Sequence, residues 1–242
     1  MKNQTSDARY LERRKTFSET KGAAELWSVI DHWPLYAGLG NLARYMANAD
    51  ILRDTLDVPG HIAEFGSWRG ANLLLFAKLL KIYDNFGPKL VHCFDSFDGL
   101  SAFSGEDGAA AANHGMYRGS LDELMAVLEL YEMQDDVVIH QGLVEQTVSQ
   151  VLADDPSLSF SLVYCDLDLY EGTKVVLEAI HPRLSVGGMI AFDQWNEEEY
   201  PGETVAVREF LEVFGDQYET VALRHTRRPS LLLRKLSSVK SA

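Results

Sequence analysis

Three aspartates at the ends of two apolar segments are the residues of this chain best placed to do chemistry. Asp166 and Asp168 follow the run FSLVYC, and Asp193 follows the run SVGGMIAF. Side chains alternate along a strand, so we expect Asp166 and Asp168 to point to one side and Leu167 to point away. If the two segments are neighbouring parallel strands, three carboxylates crowd one crevice, which is costly unless a cation or a proton intervenes.

Two kinds of chemistry would relieve that crowding. A divalent cation can be held by oxygen ligands, or one carboxyl can stay protonated and serve as a general acid or base. Both can hold at once, with Asp166 and Asp193 as metal ligands and Asp168 as the base. Capping of the following helices is the alternative, but it accounts for one carboxylate and not for three. The pattern therefore favours a functional site.

A glycine-bearing turn follows an earlier apolar run. Glu64, Gly66 and Gly70 form the pattern E-x-G-x-x-x-G between the run HIAEF and the helical run ANLLLFAKLLKIYDNF. Glycine lets a backbone approach a ligand closely, and the helix start offers unpaired N–H groups to an anion. The dinucleotide fingerprint needs glycine where Trp68 stands, so the turn suits a smaller anion, such as an amino-acid carboxylate. A turn with no ligand is the alternative.

An acidic residue also ends the next apolar run, LVHCF. Asp95 stands there, about 25 to 30 residues after the glycine turn, where a carboxylate can accept hydrogen bonds from ribose hydroxyls. The alternative is a cap on the next turn, a role that Asp98 would fill better. The glycine-rich stretch that follows, from Ser101 to Gly119, is long for a connection, which is typical of a lid or a substrate wall.

The elements that must position these residues alternate between strand and helix. This alternation predicts a parallel sheet with helices on both faces, and ligands bind such sheets at the carboxyl ends of the strands. The last two runs, YETVALRH and RPSLLLRKL, are too close for a crossover helix and should pair antiparallel. The predicted fold is α/β, a doubly wound seven-stranded sheet of the class I methyltransferase type. It has five parallel strands, a C-terminal antiparallel hairpin and N-terminal helices.

The composition narrows the classes of partner that we expect the protein to bind. The chain has 242 residues, and Lys plus Arg number 22 against 36 Asp plus Glu, for a formal net charge of −14. Such an acidic chain argues against nucleic acid and anionic membranes, and favours small-molecule partners. No apolar run approaches the roughly 20 residues of a membrane-spanning helix, and the N-terminus lacks a signal-peptide core. With Cys93 and Cys165 expected as buried free thiols, we predict a cytoplasmic protein.

Taken together, four segments resemble the macrocin O-methyltransferase family, over roughly Pro59 to Leu211. They are AEFGSWRGAN, FDSFDGL, YCDLDLYEGTKVVLEAIHPRLSVGGMIAFDQWN and PGETVAVREFL. The resemblance implies methylation of a sugar hydroxyl in natural-product (antibiotic) biosynthesis, with S-adenosylmethionine and a divalent cation, usually Mg²⁺, that orients the acceptor. The break at Val58-Pro59-Gly60 separates a helical lid or oligomerisation segment, expected at residues 1–57, from an S-adenosylmethionine-binding methyltransferase domain, expected at residues 58–242.

The resemblance also implies a role for each matching residue. Asp168 is the base, and Gln194 joins Asp166 and Asp193 as a metal ligand. Apart from the resemblance, His114 in the long glycine-rich stretch is our reserve candidate for the base. Many relatives carry an acid where Gln194 stands, and an amide brings no charge, so metal affinity should fall. The implied cofactor contacts are Glu64, Gly66, Ser67, Gly70, Asn72, Asp95, Ser96, Gly142 and Asp166.

The expected acceptor is a deoxysugar, either nucleotide-linked or attached to a natural product, and we expect a homo-oligomer. Three other functions stay open. A haloacid-dehalogenase-type phosphatase also uses D-x-D, although on its first strand. A methyltransferase-fold module could bind cofactor without catalysis, and a nicotinamide dehydrogenase is disfavoured by Trp68.

Overall fold

The computed structural model describes residues 26–224 and 226–237. Three helices come first: α1 (Leu26–Asp31), α2 (Trp33–Tyr36) and α3 (Leu39–Asp54). The first 25 residues of the helical segment expected at residues 1–57 therefore lie outside the described residues. None of the helices in these ranges combines the length and apolarity needed to cross a membrane.

Strands and helices then alternate, as the apolar pattern predicts. The elements are β1 (His61–Phe65), α4 (Ala71–Tyr83), β2 (Val91–Asp95), α5 (Leu121–Leu130), β3 (Val137–Gln141), α6 (Val144–Asp154), β4 (Phe160–Cys165), α7 (Tyr170–Ile180), β5 (Leu184–Phe192), α8 (Pro201–Phe214), β6 (Tyr218–Thr220) and β7 (Leu231–Lys235). A 3₁₀ segment, Gly105–Asn113, interrupts the long connection between β2 and α5.

One seven-stranded sheet has the order β3-β2-β1-β4-β5-β7-β6. Strands β1 to β5 pair in parallel, and β7 pairs antiparallel with both β5 and β6. This confirms the predicted doubly wound sheet with its C-terminal hairpin. The chain direction across the sheet reverses between β1 and β4, and in open α/β sheets ligands bind at such a switch point.

The core consists of two apolar clusters, one on each face of the sheet. Strand β4 is buried along its whole length, as an apolar central strand should be. Its Val163 and Cys165 belong to the cluster under α6, α7 and α8, whereas Leu162 and Tyr164 belong to the cluster under α3, α4 and α5. Because side chains alternate along the strand, β4 contributes residues to both clusters.

The C-terminal half of helix α3 packs into the cluster that contains Leu162 and Tyr164. Ile51 and Leu52 are buried there, and the buried Asn48 donates from Nδ2 to Asn72 Oδ1 on α4 at 3.2 Å. The start of the helical segment is different, since Leu35 and Leu39 are 77% and 80% exposed. The division of the chain at residue 57 stays a prediction, but α3 is fixed against the sheet-covering layer and can hold a side chain at the site.

Candidate functional site

A cleft of about 380 Å³ lies at the carboxyl ends of β1, β2 and β4. It is roofed on one side by α3 and on the other by the connection between β2 and α5. Most of the residues predicted from the sequence line it: Glu64, Gly66, Ser67, Asn72, Asp95, Ser96, Gly142, Asp166, Asp168 and Gln194. Two predicted residues, Gly70 and Asp193, do not line this cleft. His114 is exposed and also lies outside the cleft lining.

The glycine turn after β1 is set by close backbone contacts. Gly66 has φ +82°, and a Cβ there would lie 2.0 Å from the carbonyl oxygen of Asp166. Gly70 has φ +77° at the start of α4, and its Cβ would lie 2.6 Å from Leu124 Cδ1. The positive φ favours glycine at both positions, and at Gly66 the backbone carbonyl also leaves no room for a Cβ. Gly66 presses the turn against the β4 end of the cleft, while Gly70 shapes the helix start without lining the cleft.

Asp95 joins the turn after β1 to the turn after β2. Its Oδ2 accepts from the backbone N–H groups of Ser67 at 2.6 Å and Trp68 at 2.8 Å, and its Oδ1 accepts from Phe97 N at 2.6 Å. The bond to Phe97 shows that Asp95 also caps the turn that follows it. A carboxylate has about four acceptor positions, so one is left for a ligand in the cleft. Its ribose role stays a prediction.

Glu64 is a buried carboxyl in the wall of the same turn. Its Oε2 accepts from Ser67 Oγ at 2.7 Å, and that hydroxyl also receives a bond from Cys93 Sγ at 3.2 Å. Burial raises the pKa of Glu64 to about 8, although the bond from Ser67 acts in the opposite direction. Glu64 is therefore mostly neutral at pH 7, and a cationic ligand group beside it would favour its ionised form.

An aromatic wall stands at the mouth of the cleft. Trp68 has φ +49°, a conformation that bulky residues rarely adopt, and its ring is half exposed. It meets Tyr117 edge to face at 5.6 Å between ring centroids, and Tyr117 lies next to Tyr200 at 6.5 Å. Trp68 and Tyr117 both line the cleft, so the wall is available to a flat or apolar face of a ligand.

The long segment after β2 is anchored rather than free. Asp107, fully buried in the 3₁₀ segment, accepts from Ser104 N at 2.7 Å and from Tyr170 N, at the start of α7, at 2.8 Å. A Cβ on Gly202 would lie 1.9 Å from Asp107 Oδ1, so α8 also packs against this carboxylate. The segment is thereby tied to the β4 side of the cleft, as a substrate wall must be.

The strand argument for the aspartates was wrong in one respect. Strand β4 ends at Cys165, so Asp166 and Asp168 lie beyond it and the alternation of strand side chains does not orient them. Asp168 instead has φ +63°, in a tight turn where Leu169 N donates to Leu167 O at 2.7 Å. This turn brings Asp166 and Asp168 to one cleft by a left-handed backbone step, which Asp tolerates better than most residues.

Two arginines, which the sequence analysis missed, contact the aspartates. Arg44 of α3 places Nη2 at 2.9 Å from Asp166 Oδ2 and 3.1 Å from Asp193 Oδ1. Arg228, just before β7, donates from Nη1 to Asp193 Oδ2 at 2.9 Å. Gln194 Nε2 bridges the same carboxylates, at 3.1 Å from Asp166 Oδ1 and 3.1 Å from Asp193 Oδ2. We call Asp166 and Asp193 the carboxylate pair, and Arg44 and Arg228 the arginine pair.

Asp193 lies beneath the cleft floor and is fully buried. Besides Arg44, Arg228 and Gln194, it accepts a bond from Tyr164 Oη at 2.6 Å. Glu203 of α8 is buried next to this layer, where its Oε1 accepts from Gln194 N at 2.7 Å. Burial raises the pKa of Glu203 well above its ordinary value, and the charges of Asp193 and Asp166 add to the effect.

Asp168 differs from Asp166 and Asp193 because its Oδ1 is buried and has no partner among the described residues, whereas both oxygens of the other two aspartates have partners. Burial raises the pKa of Asp168, and the negative charges of Asp166 and Asp193 raise it further, whereas Arg228 lowers it. Burial also raises the pKa of Asp166, although Arg44 and the bond from Gln194 oppose this. Asp168 is thus a carboxyl that can take up a proton near neutral pH and faces the cleft.

The residues predicted as metal ligands do not fit a divalent cation in this arrangement. The two oxygens of Asp193 already have four donor or cationic neighbours, which is about all that a carboxylate accepts. Gln194 turns its nitrogen, and not its oxygen, toward the carboxylates. Within the described ranges, no three His, Cys, Asp or Glu side chains form a metal-binding group. The role of Mg²⁺ stays a prediction.

The cleft does fit S-adenosylmethionine. The φ +82° turn at Gly66, with no room for a Cβ, leaves a backbone surface beside Glu64 and Ser67. The open acceptor position of Asp95 lies in the same cleft, and its volume is within the range of small-molecule sites.

Comparisons with known proteins point in one direction. The family model for macrocin O-methyltransferase (TylF) matches residues 35–217, which is more than half of the chain. A tetracenomycin rhamnosyl 4'-O-methyltransferase of Streptomyces olivaceus is 28% identical over 144 residues, 57% of this chain and 54% of that protein. The mycinamicin III 3''-O-methyltransferase of Micromonospora griseorubida is 28% identical over 194 residues, 76% and 72% of the two chains. The chain thus spans about half the length of the first of these relatives.

Solved structures agree with the fold. The calicheamicin methyltransferase CalS11 superposes with a TM-score of 0.82 at 29% identity, covering 95% of this chain and 92% of that one. The O-methyltransferase NovP, at 23% identity and a TM-score of 0.69 over 81% of this chain and 80% of that one, supports the fold alone. The match over residues 35–217 includes the glycine turn, all three aspartates and Arg44, and the chain belongs to the macrocin O-methyltransferase family.

Proposed function

We propose that this protein is an S-adenosylmethionine-dependent O-methyltransferase whose acceptor is a hydroxyl group of a deoxysugar, nucleotide-linked or attached to a natural product. The observation that carries the proposal is Asp168, a buried carboxyl with an unpartnered oxygen at the cleft and a raised pKa. The family and the sugar O-methyltransferases among its relatives support the reaction class.

The cofactor half of the cleft lies at the ends of β1 and β2. We assign the amino-acid end of S-adenosylmethionine to Glu64, the Gly66 turn and Ser67, and the ribose to the remaining acceptor position of Asp95. Ser96, Asn72 and Gly142 complete this half. When bound, the cofactor supplies a sulfonium methyl group, the electrophile of the reaction. The protein's part is to hold the acceptor in line with it and to exclude water.

The acceptor half lies at the ends of β4 and β5. A sugar hydroxyl is a poor nucleophile because its pKa is far above neutrality, so it needs a group that takes its proton as the C–O bond forms. We assign this to the ionised form of Asp168, whose Oδ1 has no partner among the described residues. This oxygen accepts the hydroxyl proton while the sulfonium S–CH₃ bond breaks, and the thioether S-adenosylhomocysteine is the leaving group. Trp68 and Tyr117 are positioned to pack against the sugar ring.

Self-association is also part of the proposal. Trp33, Leu35 and Leu39 form an exposed apolar region on the N-terminal helices. Regions of this kind favour burial against another subunit, and we expect the protein to form homo-oligomers through them.

The test is transfer of labelled methyl from S-adenosylmethionine to a panel of nucleotide-linked deoxysugars and glycosylated natural products. We expect a methyl ether on at least one sugar and no phosphate release from simple phosphoesters. Tight binding of S-adenosylhomocysteine without transfer to any acceptor would favour the non-catalytic binding module. Phosphate release without methyl transfer would favour the phosphatase.

A further inference from the structure

The carboxylate pair and the arginine pair balance in charge. Asp166 and Asp193 carry two negative charges at the base of the acceptor half, and Arg44 and Arg228 carry two positive charges within 3.1 Å of their oxygens. Arginine stays charged in proteins, so this compensation does not depend on pH near neutrality. Two of the three crowded carboxylates that gave the reason to expect a divalent cation are therefore already compensated by arginine side chains of this chain.

Arg44 is held in place by the helix that carries it. The C-terminal half of α3 is packed into the core through Ile51 and Leu52, and the Arg44 guanidinium lies 5.7 Å from the centre of the Tyr164 ring. Tyr164 in turn donates to Asp193. Arg44 is thus a fixed charge between a buried aromatic ring and two carboxylates, not a mobile surface side chain.

Gln194 completes the arrangement. An acid at this position would add a third charge to the carboxylate pair and create a need for a metal. The amide instead donates to both carboxylates through Nε2 and holds them together. Glutamine at position 194 and arginine at positions 44 and 228 are therefore consistent with one another, whereas a divalent cation bound to Asp193 would have to displace close donors.

We propose that Arg44 and Arg228 replace the divalent cation at the acceptor half of this site, so that methyl transfer proceeds without a bound metal. Asp166 and Asp193 then serve to hold the arginine pair, and Arg44 and Arg228, which both line the cleft, supply the positive charge at the acceptor half. The claim about cation binding stands on the geometry alone, whereas the claim about turnover rests on the proposed function.

The first test needs no acceptor. Chelator-treated protein is titrated with Mn²⁺ while the electron paramagnetic resonance signal of free Mn²⁺ is recorded. We expect the signal to match that of a protein-free titration. The variant Gln194→Glu keeps the shape of the side chain and adds a charge, and we expect it to acquire Mn²⁺ binding, as should Arg44→Met combined with Gln194→Glu. Stoichiometric Mn²⁺ binding by the unaltered protein would overturn the proposal.

The control is Arg53→Met, which removes an arginine from the same helix. Arg53 pairs with Asp50 at the surface, so its loss should alter neither Mn²⁺ binding nor turnover. Melting temperatures establish that each variant is folded, and if Arg44→Met does not fold, Gln194→Glu alone decides the binding test.

The second test is turnover, once an acceptor is found. We expect the chelated protein to be as active with EDTA as with Mg²⁺. Arg44→Met should lose roughly 10- to 100-fold in kcat, as for charge-assisted hydrogen bonds, with little change in cofactor binding. The combined variant Arg44→Met with Gln194→Glu should regain part of that loss when Mg²⁺ is added. Activity of the unaltered protein that disappears on chelation and returns with Mg²⁺ would contradict the proposal, even where the methyl-transfer function is correct.

Discussion

The two halves of the cleft satisfy their acidic residues in different ways. In the cofactor half, Asp95 is held by backbone N–H groups of Ser67, Trp68 and Phe97, all close to it in sequence or on the adjoining turn. In the acceptor half, Asp166 is held by Arg44, which lies 122 positions earlier in the chain. The first half is built from local turns and tolerates no side chain at Gly66. The second half is built from charged side chains of distant elements, and within the part of the chain that the structure describes Asp168 Oδ1 has no partner.

The largest effect on turnover should come from replacing Asp168, whose Oδ1 has no partner among the described residues. Asp168→Asn keeps the shape but removes the proton acceptor, so kcat should fall by about 10²- to 10⁴-fold, the usual range for a lost general base. Binding of S-adenosylhomocysteine, measured by calorimetry, should stay the same because the change lies in the acceptor half. Asp216→Asn, an exposed position far from the cleft, is the control. If Asp168→Asn keeps its turnover, Asp168 is not the proton acceptor in the acceptor half.

Replacing Gly66 should damage the cofactor half. Gly66→Ala places a Cβ at 2.0 Å from the Asp166 carbonyl at φ +82°, and we expect a loss of about 2 to 4 kcal/mol in the free energy of unfolding. Cofactor affinity should fall with it. The matched control is Gly105→Ala, where an added Cβ meets nothing within 4 Å. Denaturant unfolding measures both variants, and equal stabilities would argue against the close approach of the two turns.

The role of Glu64 in the cofactor half can be tested by measuring proton release when a ligand binds. Its pKa of about 8 in the free protein means that it carries a proton at pH 7. If a cationic amino group binds beside it, that pKa falls and up to about one proton is released. The binding enthalpy of S-adenosylhomocysteine should then vary with the ionisation enthalpy of the buffer. Glu64→Gln should abolish the variation, and an unchanged variation would remove Glu64 from the cofactor site.

The smallest expected effect is on the free energy of unfolding, through a pair of stacked histidines. It separates the pH dependence of folding from that of catalysis. His92 and His140 stack beneath the cofactor half, with His92 Nδ1 at 3.0 Å from His140 Nε2 and His61 close by. Burial, and then the charges of His140 and His61, lowers the pKa of His92 to about 4, and burial lowers that of His140.

Because both histidines bind protons more readily in the unfolded chain, stability should be complete above about pH 6.5 and decline as the pH falls toward 4. The loss attributable to the stack should be on the order of 1 to 3 kcal/mol. His92→Phe should flatten the decline in thermal unfolding scans, whereas an equally steep decline in that variant would assign the acid sensitivity to other groups.

Sequence reasoning reached the fold, and it found most of the residues that line the cleft at the ends of β1 and β2, because both depend on local patterns. The alternation of apolar runs predicts the strands and helices. The glycines at positions 66 and 70 indicate a turn whose positive φ angles favour glycine. It also found the three aspartates, since acids at the ends of apolar runs are conspicuous.

The remainder depended on contacts that no local pattern encodes. Arg44 lies in the helical run LGNLARYMANADILRDTL, where nothing indicates that its side chain faces inward toward Asp166. Arg228 precedes a proline in a connection, and Glu203 begins a helix as many solvated acids do. The left-handed turn at Asp168 was hidden for another reason, because the apolar run gives no sign that the strand stops at Cys165.

The most direct test of the account is a single-turnover measurement with chelator-treated protein saturated with labelled S-adenosylmethionine and an acceptor sugar, since it isolates the chemical step from binding and release. We predict that the unaltered protein transfers the label to a sugar oxygen in the presence of EDTA and that Asp168→Asn, with the cofactor equally bound, transfers it far more slowly. Equal transfer rates for the two proteins would contradict the role of Asp168 on which the account depends.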